Sequence, residues 1–156
     1  MATLLDPPRN LSYYAIPAAW FLTMAPHAYG AFLASKSSRG GVDRTKPRTL
    51  VPALESDQSL DNATKDTIVR AEGAHSNGLE NLGLFASAVV AGNVAGLDTG
   101  YLNALSGAYL ASRVIYNVVY VTGTNTVFAS MRSLLWMTGV GCCFAMLVGA
   151  GNRASR

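Results

Sequence analysis

Three clusters of polar side chains interrupt otherwise apolar stretches of this chain. The first is Arg70, His75, Asn77, Glu80 and Asn81. Arg70, Asn77 and Glu80 or Asn81 recur at helical spacing, so one stripe of a helix would carry them. The second is Arg113, Tyr116, Asn117 and Tyr120, at i, i+3, i+4 and i+7. The third is Arg132 followed by Ser133. A charge near a bilayer centre is costly, so such groups face a bundle interior and pair there. Placed at one level, these side chains predict a polar, cationic cavity opening toward the cytoplasm and walled by apolar helices. That cavity suits an anionic hydrophilic cofactor meeting a lipophilic substrate at the membrane edge.

Plainer roles compete for the same residues. Glu80 and Arg113 can be a buried pair that locks two helices. Arg132 can snorkel at the cytoplasmic rim, and Tyr120 can be an interface anchor. His27, next to Pro26, reads as a packing residue. Cys142 and Cys143 are adjacent and read as small apolar filling. No metal-ligand spacing, nucleophile elbow or phosphate loop is present.

The elements that must position these groups follow from composition. Half of the 156 residues are hydrophobic and 13% are charged, against about 25% in a soluble domain. The net charge of +3 is uneven, with Lys36, Arg39, Arg44, Lys46 and Arg48 in one short stretch. Beside an apolar segment this cluster reads as a topology signal rather than a nucleic-acid surface. A membrane helix needs about 20 apolar residues. Four spans are expected, at about 13–35, 71–97, 101–121 and 127–150, in a single domain over residues 1–156. Residues 36–70 form the expected cytoplasmic loop, with a short helix from about Ser59 capped by Asp61 or Asn62. Asp98-Thr99-Gly100 and residues 122–126 read as tight connections, which make the last three spans antiparallel. Gly92 and Gly96 read as packing positions. The start lacks a basic region, so no cleavable signal peptide is expected. The fold class is therefore all-α, a four-transmembrane-helix antiparallel bundle.

The stretch from Arg70 to Phe85 resembles the signature of the MAPEG superfamily, membrane-associated proteins in eicosanoid and glutathione metabolism. Ala74, His75, Asn77, Glu80, Asn81 and Phe85 match its second-helix pattern. Arg113 and Tyr120 match the third, and Arg132, Ser133 and Trp136 the opening of the fourth. The loop around Thr45-Lys-Pro-Arg48 resembles that of fungal members. The resemblance implies a homotrimer, membrane lipid around it, residence in the endoplasmic reticulum, and glutathione bound near the cytoplasmic face. By that analogy Arg70, Asn77, Glu80, Arg113, Tyr116 and Tyr120 would bind the cofactor, with Arg113 pairing to Glu80. Arg132, Tyr120 and Ser133 would be catalytic, since a cation near a thiol raises its thiolate fraction.

The chain departs from the pattern at Gly73 and Ser76, where many members carry arginines. Each lost carboxylate clamp is worth about 1.5–3 kcal/mol. The leading expectation is a glutathione-dependent transferase or isomerase acting on a lipophilic electrophile. A glutathione-independent isomerase or cyclase of an apolar metabolite, and a non-catalytic lipid-presenting scaffold, stand beside it. A transporter is disfavoured because no inverted repeat is apparent. The expected partner is a lipophilic small molecule, not nucleic acid.

Overall fold

The structure, a computed structural model, describes residues 9–37, 50–58 and 60–155. Among these residues every regular element is helical: α1 (Ser12–Ser37), α2 (Leu50–Ser56), α3 (Asn62–Val94), α4 (Thr99–Thr122) and α5 (Thr126–Ala154). The expected basic cluster at Arg39, Arg44, Lys46 and Arg48, and Ser59, lie outside the described residues.

Two sequence expectations shift here. The short helix expected from about Ser59 is the opening of α3, which then runs unbroken for 33 residues, about 50 Å at 1.5 Å per residue. Asp61 caps it: its carboxylate accepts from the Thr64 amide at 2.9 Å and from the Thr64 hydroxyl at 2.7 Å. These bonds, the side-chain one first, hold the Asp61 carboxyl below its ordinary value. The separate helix of the loop is α2, which brings Leu54 against Leu60, Ile68 and Ala34.

The α3–α4 connection also differs. It turns at Gly96, whose φ is +70°, and not at Asp98-Thr99-Gly100. The Leu97 amide donates to the Gly92 carbonyl and the Gly96 amide to that of Asn93, both at 3.0 Å, so two carbonyls at the helix end gain partners. Gly96 is thus a helix stop, while Gly92 is a packing position: a Cβ there would meet Leu102 at 2.7 Å. Asp98 starts α4 by accepting from the Tyr101 amide at 2.9 Å.

Short connections make α3, α4 and α5 successive antiparallel neighbours. Helix α1 lies mainly along α3, with α4 beside it. Polar side chains set its register. At one end Asn10 donates to Asn93 at 2.6 Å, Asn93 donates to Ser12, and Asn103 holds the Arg9 carbonyl and the Leu11 amide. Midway, Pro26 has no N–H and leaves the Leu22 carbonyl without its helical donor. Asn117 of α4 donates to that carbonyl at 2.8 Å. His75 of α3 donates through Nδ1 to the neighbouring Thr23 carbonyl at 2.9 Å. A carbonyl only accepts, so Nδ1 of His75 carries the proton. Both residues belong to the polar clusters of the sequence, yet they bond to backbone carbonyls of α1 close to Pro26.

The core between the helices contains Phe85, Val89, Leu102, Tyr109, Cys143 and Met146. Phe85 and Tyr109 stack at 3.8 Å between ring centroids. Large apolar side chains point outward along every long helix, among them Phe21, Val94, Val118, Leu134 and Val148. Helix α5 alone among the described residues is both long and apolar enough to cross a membrane by length and composition. Helices α1, α3 and α4 have the length, but proline, tyrosine, asparagine and glycine dilute their apolarity.

Candidate functional site

A cavity of about 440 Å³ opens between α3, α4 and α5. Its walls are Asn77, Tyr116, Tyr120, Arg132, Ser133, Trp136 and Met137. That volume is within the usual range for small-molecule sites. Five of these residues come from the three polar clusters of the sequence, so their spacing does bring them together.

Arg132 lies on the wall with its guanidinium carbon 4.3 Å from the centroid of the Tyr120 ring. The rings of Tyr120 and Tyr116 are 5.5 Å apart and tilted by 58°. Ser133 lines the cavity, but its hydroxyl donates to the Ala129 carbonyl of its own helix at 3.3 Å. Trp136 and Met137 supply apolar surface, 40% and 63% exposed. Met137 had no polar or motif signal to mark it in advance.

Behind this wall sits Arg113, 4% exposed. It does not pair with Glu80, contrary to the sequence expectation. Its Nη1 donates to Asn77 Oδ1 at 3.2 Å and its Nη2 to the Trp136 carbonyl at 3.3 Å. Tyr116 and Tyr109 cover the guanidinium, with centroids at 5.0 and 5.3 Å. Its Nε is buried and has no partner. Glu80 is exposed. Three residues beyond Asn77, it lies about 60° round the helix, and that turn takes its carboxylate off the buried seam. Asn81 supports Asn77 instead, donating to its carbonyl at 2.8 Å.

Arg70 also leaves the predicted set. Its Nε donates to the Val121 carbonyl at 3.0 Å and its Nη2 to the Thr67 hydroxyl at 3.0 Å. Val121 is in the last turn of α4, where carbonyls lack helical donors. Arg70 therefore caps α4, and it does not line the cavity.

Two glycines shape the site. A Cβ at Gly139 would collide with Arg113 Nη2 and lie 3.1 Å from its Nε, so α5 offers the guanidinium a seat that only glycine leaves open. A Cβ at Gly73 would meet the Tyr120 hydroxyl at 2.8 Å and its ring at 3.1 Å. Sequence reasoning treated Gly73 as a missing clamp.

A second polar group lies between α1 and α3. His27 Nδ1 is 2.8 Å from Glu72 Oε1, and the His27 and His75 rings are 4.9 Å apart. This pair gives Glu72 a partner well away from the walls of the cavity.

The residues fit a polar anion. Arg132 is a cation on the wall, Asn77 and the two tyrosines can hydrogen-bond to polar groups, and the unpartnered Arg113 Nε leaves positive charge close behind. Trp136 and Met137 fit an apolar reactant. No curated protein and no solved structure matches the chain. The MAPEG family model matches residues 11–152, nearly all of the chain. Members of that family are membrane proteins, and the family includes glutathione transferases and isomerases. With the match running from the start of α1 almost to the end of α5, the chain belongs to the MAPEG family.

Proposed function

We propose that this protein is a membrane enzyme that uses glutathione to transform a lipophilic electrophile, by conjugation or isomerisation. The observation that carries the reading is Arg132, a cation held on the Tyr120 ring at the wall of a cavity that joins polar Asn77 and Ser133 to apolar Trp136 and Met137. Glutathione would supply a thiol nucleophile. Arg132 favours the thiolate over the thiol by placing positive charge beside it. Asn77, held by Arg113 and Asn81, orients polar groups of the peptide. Tyr116 and Tyr120 add phenolic hydroxyls that can hydrogen-bond to either reactant. Trp136 and Met137 present the lipophile and exclude water from its side of the cavity. Ser133 serves as a donor once its hydroxyl turns from Ala129.

The same reading takes the chain as a fungal-type member with four spans, assembling as a homotrimer in the endoplasmic reticulum membrane. The outward apolar side chains on α1, α3 and α4 support lipid or subunit contact along those helices.

The test is calorimetric titration of glutathione into detergent-purified protein, followed by turnover of an activated aryl chloride. Binding that weakens in Asn77→Ala, with turnover that collapses in Arg132→Ala, is the expected result. Unchanged turnover in Arg132→Ala removes the role assigned to that residue. One observation favours a second reading, a glutathione-independent isomerase: at Gly73, where the clamp is missing, the Tyr120 hydroxyl comes within 2.8 Å of the point a Cβ would occupy. Turnover of an apolar substrate that is indifferent to added glutathione would select it.

A further inference from the structure

The expectation drawn from Gly73 was one of loss, a position where a carboxylate-binding arginine is absent. The geometry around it is specific. Tyr120 reaches across from α4 so that its hydroxyl lies 2.8 Å from the point a Cβ on residue 73 would occupy, with Cε1 and Cζ at 3.1 Å. The other face of the problem is Arg132, whose guanidinium sits 4.3 Å from the centroid of the same ring. One tyrosine thus spans from the backbone of α3 to the cation of α5. The two contacts share one rigid ring, so a shift at the hydroxyl end is carried to the stacked end. Elsewhere on α3, Gly83 has nothing within 4 Å of a Cβ. Gly78 and Gly92 on the same helix also have close neighbours, Thr23 at 2.8 Å and Leu102 at 2.7 Å, so what sets Gly73 apart is that its neighbour is Tyr120, a wall of the cavity.

We infer that Gly73 is a positioning residue: its missing Cβ seats Tyr120 against α3 and thereby sets the Arg132 guanidinium over the Tyr120 ring at the cavity wall. The inference deepens the glutathione reading and rests on it for the consequence at Arg132, while the seat itself is a matter of packing. It reverses the expectation from charge alone. An arginine placed at 73 adds a cation but brings a Cβ and a longer side chain into the space that Tyr120 occupies. Charge alone makes Gly73→Arg a tighter glutathione binder, and the seat makes it a weaker one. It also opposes helix propensity, by which a Gly→Ala change inside a helix ordinarily stabilises.

The experiment uses the full chain in detergent with 3-fluorotyrosine at position 120, read by fluorine NMR, and glutathione as the binding probe. Gly73→Ala is expected to move the Tyr120 resonance in the direction seen in Arg132→Ala, because both take the guanidinium off the ring. It is also expected to weaken glutathione by about fivefold, the scale of one cation–π contact. Gly83→Ala is expected to change neither reading. In a Tyr120→Phe background the 2.8 Å hydroxyl contact is gone and only the 3.1 Å ring contacts remain, so Gly73→Ala is expected to have a smaller effect on affinity. A resonance unmoved by Gly73→Ala overturns the inference. So does an affinity loss of equal size in the Phe background, or tighter binding in Gly73→Arg. If the unsubstituted protein binds no glutathione, the proposed function falls, and the fluorine resonance still decides whether Gly73 seats the ring.

Discussion

Pro26, inside α1, offers a quantitative test of how this bundle is held together. Proline removes the amide that would have bonded the Leu22 carbonyl, and the Asn117 side chain replaces it at 2.8 Å from another helix. Asn117→Leu keeps similar bulk and removes the donor. An unpaired buried acceptor costs about 1–3 kcal/mol. Hydrogen bonds between membrane helices average only about 0.6 kcal/mol and reach about 1.7, because the separated helices find other partners. Leu22 has no such alternative within its own helix while Pro26 is present. The upper part of the membrane range therefore applies, about 1.5 kcal/mol, or roughly a tenfold rise in the unfolding constant. Pro26→Ala supplies an amide to Leu22 from within α1. In that background Asn117→Leu is expected to cost about 0.5 kcal/mol or less, a coupling of about 1 kcal/mol between residues on different helices. The assay is reversible unfolding in mixed micelles, read by circular dichroism as a four-protein cycle. Equal costs of Asn117→Leu in the two backgrounds would refute the argument that proline creates the need for Asn117.

Three further outcomes follow from particular contacts. Gly139→Ala drives a methyl group into the Arg113 guanidinium and is expected to destabilise by about 1–3 kcal/mol; Gly141→Ala, with open space around it, serves as the comparison in the same unfolding assay. Arg70→Ala removes the cap on the Val121 carbonyl and is expected to cost about 1.5 kcal/mol, while glutathione affinity stays within about twofold; a large affinity loss at unchanged stability would return Arg70 to the cavity. The Asp61 carboxyl is held below its ordinary value by Thr64. Its contribution to the start of α3 is full above the unfolded-state value and is lost as pH falls through the folded one. Protection of the Thr64 amide, taken against its intrinsic exchange rate at each pH, is expected to fall on acidification, and to stay flat with pH in Asp61→Asn, which caps without titrating.

The existence of the long helices was legible in the sequence, because apolar runs broken by glycine and polar turns leave few alternatives. So was the convergence of Asn77, Tyr116, Tyr120, Arg132 and Ser133, since helical spacing alone puts each set on one stripe. What the stripes did not reveal was which neighbour each polar group serves. His75 and Asn117 belong to the same clusters, but two adjacent carbonyls of α1, one of them freed by Pro26, claim them. That claim could have been suspected, since Pro26 marks Leu22 as needing a donor, but only tertiary packing says which side chain supplies it. Arg70 was assigned by analogy to the cavity, and the unsatisfied end of α4 holds it instead. The pairing of Glu80 with Arg113 failed on angle: three residues of helix turn Glu80 outward, and Asn77 takes the guanidinium. Gly73 was read by what it lacks in charge, whereas its effect comes from the space it leaves.

The polar knot that fixes the first turn of α1 bears on the order in which the chain can assemble. Asn10 bonds to Asn93, 83 residues on, and the Leu11 amide bonds to Asn103, 92 residues on. Helices α3, α4 and α5 meet across connections of a few residues, so their pairing is available as soon as each emerges. Residues 9–12 leave the ribosome early and gain these partners only after Asn103 has been made. For that interval the start of α1 lacks the bonds to Asn93 and Asn103 that fix it in the finished fold. Closing so long a loop adds little entropy cost beyond closing a shorter one. The delay is thus a matter of timing in synthesis, not of final stability.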